Sequence, residues 1–192
     1  MNKPLYLFVG KSSSGKTTIA KLLENKYGYT QVSSYTTRSP RYENETAHIF
    51  VTQEEFEELG DLAAYTYYNG HHYGATIKQV EECDIYVIDV AGIDNLLHTY
   101  QNYDKQICII YFDSTVYTRI NRMFERHDSE SQIIERLLQD EKDDWYKQLS
   151  TLVWPYAKVE NRPVELYQID ANKNLSEVMD QVLYHMNKYK EE

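Results

Sequence analysis

One eight-residue stretch restricts what this chain can fold into. GKSSSGKT, Gly10 to Thr17, follows the apolar run LYLFV at 5–9 and precedes a helix-patterned segment. Glycines at both ends, then lysine and a hydroxyl residue, form a strand-to-helix loop that wraps a phosphate. Loop N–H groups and the helix N-terminus supply positive potential, Lys16 would reach the β- and γ-phosphates, and Thr17 offers an oxygen to Mg2+. Gly10, Ser12, Ser13, Ser14, Gly15, Lys16, Thr17 and Thr18 are therefore the candidate ATP-binding residues. The plainer alternative is a glycine-serine turn between a strand and a helix.

A loop of this kind belongs in a parallel sheet, and the rest of the chain agrees. Short apolar runs at 5–9, 85–89 (IYVID), 107–112 (ICIIYF) and 165–169 (ELYQI) alternate with helix-patterned stretches. That alternation predicts an α/β fold, a parallel sheet flanked by helices. Helices are expected from about Gly15 to Tyr27, Ile93 to Tyr100, Thr115 to Arg126, Ser131 to Tyr146 and Leu175 to Lys188. Thr52 with Glu55, and Asn174 with Glu177, have capping-box spacing. Residues 33–77 differ in texture, being short, aromatic and polar, with Asn69-Gly70 marking a two-residue hairpin. They read as a small β-rich insertion, and the charged, arginine-bearing segment from about 125 to 140 reads as a second. Asp89, closing an apolar strand, is the candidate acid for the metal shell, alongside Thr17; the alternative is an acid that merely caps the strand end.

Charge and cysteine usage bound the partners. The 192 residues suit a single domain, and 20 basic against 30 acidic residues give a net charge of −10, which disfavours non-specific nucleic-acid binding. An anion site must then be built locally, which draws attention to Arg38 and Arg41 in SYTTRSPR at 34–41. Ion pairs with the nearby Glu43 and Glu45 are the competing use of those arginines. Cys83 and Cys108 have neither metal-ligand nor disulfide spacing, and no run is long enough to span a bilayer, so the expectation is a cytoplasmic protein without membrane contact.

Thr36-Thr37-Arg38-Ser39-Pro40-Arg41 some twenty residues after the loop, then HIFVTQEEF at 48–56, give the chain a more specific likeness. From Leu5 to about Met186 it resembles the guanylate kinase family, a group of P-loop nucleoside monophosphate kinases. The resemblance implies a core at about 1–32, 78–124 and 141–192, a nucleoside-monophosphate-binding insertion at about 33–77, and a helical lid at about 125–140. It implies transfer of the γ-phosphoryl of ATP, with Mg2+, to GMP, dGMP or another nucleoside monophosphate. Arg38 and Arg41 would then grip the acceptor phosphate, as planar guanidinium forks do well. Ser34, His48, Tyr73 and Asp89 complete the implied acceptor set, His48 standing where the family has a tyrosine. Arg122, Arg126 and Arg136 align with lid arginines that neutralise the transferring group, and with Lys16 and Arg38 they form the implied catalytic set. The base-reading positions depart from the family: Ala64 replaces a glutamate, Ala75 a serine and Ala91 an acid. Two other readings remain open, a ribose 1,5-bisphosphokinase-like sugar-phosphate kinase and a non-catalytic module that grips phosphopeptides.

Overall fold

A computed structural model describes residues 4–40, 43, 45–100, 105–157 and 164–188. Two four-stranded sheets organise it. The first joins β1 (Leu5–Val9), β6 (Ile85–Val87), β7 (Ile107–Asp113) and β8 (Val164–Asp170), all parallel, in the order β6-β1-β7-β8. The second joins β2 (Ser34–Thr36), β3 (His48–Phe50), β4 (Leu62–Tyr68) and β5 (His71–Thr76) in the order β3-β2-β5-β4, with β2 and β3 parallel and the rest antiparallel.

The unbroken apolar runs of the first sheet follow from its being covered on both faces. Leu5, Leu7 and Val9 face one core, which they share with Ile107, Ile109 and Tyr111. Tyr6 and Phe8 face the other, with Cys108, Ile110 and Phe112. Helices α1 (Lys16–Tyr27) and α8 (Leu175–Asn187) close the second core through Ile19, Ala20, Leu23, Val178, Val182 and Met186. Helices α4 (Val90–Thr99) and α7 (Trp145–Val153) cover the first core through Ile93, Leu96, Leu97, Leu149 and Val153. Ala63, Ala64 and Ala75 join that same core, so the two sheets share packing.

Local signals account for most boundaries. The hairpin turns at Asn69 (φ 49°) and Gly70 (φ 80°), the left-handed pair that a two-residue turn requires. Thr52 and Glu55 form the expected capping box on α2 (Gln53–Glu57). Asn174 caps α8 by accepting from the Glu177 N–H at 3.1 Å, but the Glu177 side chain goes to the Asn174 amide instead of closing the box. Helix α3 (Ile77–Glu82), with its own Thr76–Gln79 capping box, was not expected.

Two expectations need correction. The helix predicted over 131–146 is two: α6 (Glu130–Asp140) and α7, separated where Asp144 caps α7 by accepting from the Lys147 N–H at 3.1 Å. An aspartate that satisfies free helix-start donors competes with continuation of the helix before it. Asp89 does not end a strand. It is the N-cap of α4, which therefore begins three residues before the predicted start. Helix α5 (Val116–Glu125) lies close to its expected limits.

Candidate functional site

The loop between β1 and α1 has the geometry that its glycines allow. Gly10 has φ 154°, and a Cβ there would lie 2.7 Å from the Phe112 carbonyl oxygen on β7, so only glycine permits this approach. Ser13 (φ 61°) and Gly15 (φ 102°) also occupy left-handed conformations, turning the loop back into the first turn of α1. Thr17 and Thr18 are exposed on that turn. The Lys16 ammonium donates to the Gly10 carbonyl at 2.5 Å, the Lys11 carbonyl at 2.9 Å and the Ser14 hydroxyl at 3.2 Å. Burial lowers its pKa to about 8, against the opposing influence of Asp140.

A cavity of about 220 Å³ opens beside the loop. Gly10, Ser12 and Lys16 form one wall, Ser34, His48 and Tyr73 of the second sheet another, and Asp89 the floor near α4. Parallel pairing sets Ser34 opposite His48, whose Nδ1 lies 2.9 Å from the Ser34 hydroxyl; the Tyr73 ring centroid is 5.7 Å from that of His48. Asp89 accepts from the Gly92 N–H at 2.6 Å and the Thr66 hydroxyl at 3.0 Å, and burial raises its pKa above the ordinary carboxylate value in spite of those bonds. The cavity thus brings a cation, an acid and a polar triad from three distant segments into one space.

The arginines divide differently. Arg38 is absent from the cavity wall and makes a forked pair with Glu45, at 2.9 and 3.2 Å, with both side chains largely buried; it also stacks on Phe50, 5.3 Å from its centroid. The ion-pair alternative read from the sequence is therefore the arrangement Arg38 adopts, inside the second sheet instead of on its surface. Arg41 lies outside the described residues. Arg122 reaches the loop but donates to the carbonyls of Ser14 at 3.0 Å and Ala171 at 2.7 Å, bracing the loop from its carbonyl side. Arg126 and Arg136 both turn to Asp128, Arg126 through its Nε at 2.9 Å and Arg136 at 3.9 Å.

Several residues that shape the site carried no signal in the sequence. Tyr65, Thr66, Tyr68, Tyr86 and Trp145 line the cavity; the aromatic texture of 62–73 was the one hint. Asp140, paired with the buried Arg119, also lines the cavity and accepts from the Ser12 N–H of the loop at 2.8 Å. Ala64 and Ala75, paired across β4 and β5, are almost wholly buried in the core and present nothing to the cavity, while Ala91 is exposed.

Among the described residues no group of three or more His, Cys, Asp or Glu side chains could hold a metal ion. Thr17 lies exposed on the first turn of α1, and Asp89 lines the cavity. Among the same residues no helix is long and apolar enough to cross a membrane.

No family model matches the chain. It is 35% identical to a guanylate kinase of Fusobacterium nucleatum over 83 residues, covering 41% of this chain and 45% of that protein. It is 34% identical to one of Geobacter metallireducens over 92 residues, covering 45% of each. For one of Helicobacter pylori the identity is 36% over 110 residues, 51% of this chain and 53% of that protein. The chain thus spans about half the length of the curated relatives it matches. The fold resembles the crystal structure of guanylate kinase from Anaplasma phagocytophilum, with a TM-score of 0.55 at 18% identity, over 97% of this chain and 85% of that one.

Proposed function

We propose, on the premise that this chain belongs with the guanylate kinases, which both its sequence relatives and its fold support, that it is a nucleoside monophosphate kinase. It transfers the γ-phosphoryl of ATP to GMP, dGMP or another nucleoside monophosphate. The observation that carries this reading is the shared cavity: the phosphate loop with Lys16 faces Ser34, His48 and Tyr73 across a single space. A donor phosphate on one wall and an acceptor phosphate on the other would be held in line, and positioning with charge neutralisation is most of what phosphoryl transfer needs.

On this reading the second sheet is the acceptor-binding part and α6 belongs to the lid. Lys16 neutralises the β- and γ-phosphates, and the loop N–H groups orient them. Ser34, His48 and Tyr73 hold the acceptor, with Arg38 and Arg41 serving its phosphate once Arg38 exchanges Glu45 for it. Arg122 keeps the loop in shape, and Arg126 and Arg136 reach the transferring group only after leaving Asp128. Thr17 and Asp89 would help to hold a Mg2+ ion that arrives with the nucleotide, and such an ion would supply charge neutralisation for the phosphates. No protein base is required, because the acceptor phosphate is already ionised.

Ala64 and Ala91 leave the guanine edge without an acid from the usual positions, and Ala75 leaves it without the usual hydroxyl, so base choice rests on the remaining cavity wall. A coupled ATP-consumption assay over the common nucleoside monophosphates and ribose 1,5-bisphosphate tests the proposal. Turnover of at least one nucleoside monophosphate above that of the sugar phosphate is expected, with Lys16→Ala inactive. No nucleotide turnover, or faster reaction with the sugar phosphate, refutes it.

A further inference from the structure

The phosphate loop already holds an anion of the chain's own. Asp140, at the end of α6, is almost fully buried, and one carboxylate oxygen, Oδ2, accepts from the Ser12 N–H at 2.8 Å and from Arg119 at 3.0 Å. Its neighbour Glu141 pairs with Lys11 of the same loop at 3.0 Å and also with Arg119. Arg119 on α5 is completely buried, and its Nε has no hydrogen-bond partner among the described residues. A backbone N–H in such a loop ordinarily faces a phosphate oxygen. Here a carboxylate oxygen, with a guanidinium behind it, stands in that place.

A brace between α5 and α6 would need Arg119 and Asp140 alone. The bond from Ser12 is what a brace does not require, and it joins the lid helix directly to the nucleotide site. Resting on the kinase reading above, we propose that the Asp140 carboxylate is a built-in competitor for the phosphate loop. ATP displaces it, and Arg119 passes from Asp140 to the nucleotide phosphates. One N–H cannot make its strong bond to both oxygens, so the two states exclude each other. Because both carboxylates belong to the end of α6 and the residue after it, arrival of ATP releases that end of the helix. The lid is thereby tied to occupancy of the loop by a single exchange of anions, with Lys11 freed from Glu141 in the same movement.

Asp140→Asn keeps the shape of the side chain and removes its charge, while Arg119 keeps Glu141. By titration calorimetry with MgATP, the variant should bind about tenfold more tightly than wild type, the scale of one charge-assisted hydrogen bond no longer in competition. In the wild-type chain, hydrogen exchange over residues 137–144 should accelerate on adding MgATP while the loop at 10–16 slows. That measurement decides the matter even if the variant fails to fold. Wild-type binding with an unchanged or weaker variant, or exchange at 137–144 that slows with the loop, overturns the exchange of anions and leaves the kinase reading standing. Failure of folded wild type to bind MgATP at all overturns both.

Discussion

Replacing Arg119 by leucine should be among the most damaging single changes to this fold. Its side chain is 0% exposed and that of its partner Asp140 is 1% exposed, so solvent does not screen the pair. Among the described residues, Arg119→Leu leaves the buried Asp140 carboxylate with the Ser12 N–H as its only hydrogen-bond donor, and breaking such a pair from one side costs about 3–5 kcal/mol. For a domain of this size each kcal/mol lowers Tm by roughly 2–4 °C, giving a fall of about 6–20 °C. The double variant Arg119→Leu, Asp140→Leu removes both charges, and apolar replacement of a buried pair is often neutral or stabilising. It should therefore recover to within about 1 kcal/mol of wild type. Glu141 is 43% exposed and keeps Lys11, so it adds little to either loss. Thermal melts of the three proteins, with urea titrations for the free energies, measure the cycle. A single variant melting within about 2 °C of wild type would refute the reasoning, since it would mean that the carboxylate finds water or another donor.

Two further outcomes follow from the loop. Burial holds the Lys16 pKa at about 8, below its ordinary value, and bound phosphate favours the charged form and raises it again. MgATP binding should then take up protons at about pH 8.5 and hardly any at pH 7, read from the dependence of calorimetric heats on buffer ionisation enthalpy; absence of that dependence contradicts the assignment. Gly10→Ala would place a methyl 2.7 Å from the Phe112 carbonyl at a φ of 154°, so β7 and the loop must separate. MgATP affinity should fall at least tenfold with a lowered Tm, and an unchanged affinity would show that the loop tolerates the shift.

Legibility followed distance along the chain. The strands of the first sheet were readable because burial on both faces makes each one apolar throughout, as in Leu5–Val9 and Ile107–Asp113. The hairpin was readable from Asn69-Gly70, and the α2 cap from Thr52 and Glu55. The break between α6 and α7 was obscured because KDDW continues a helical charge pattern, and only the cap geometry at Asp144 decides where the second helix starts. Asp89, a candidate site acid in the sequence, was placed at a strand end instead of a helix start, because a capping aspartate and a strand-ending aspartate look alike beside an apolar run.

What the sequence determined by itself is the loop at 10–17, because its motif lies in eight contiguous residues whose backbone conformation glycine alone can supply at Gly10. Tertiary structure decided what that loop faces. Ser12 meets Asp140 across 128 positions, Thr66 meets Asp89 across 23, and Arg38 turns to Glu45 instead of the cavity. Such pairings are set by where helices and sheets come to rest on a shared core, and a buried charge takes whichever partner that packing brings within reach.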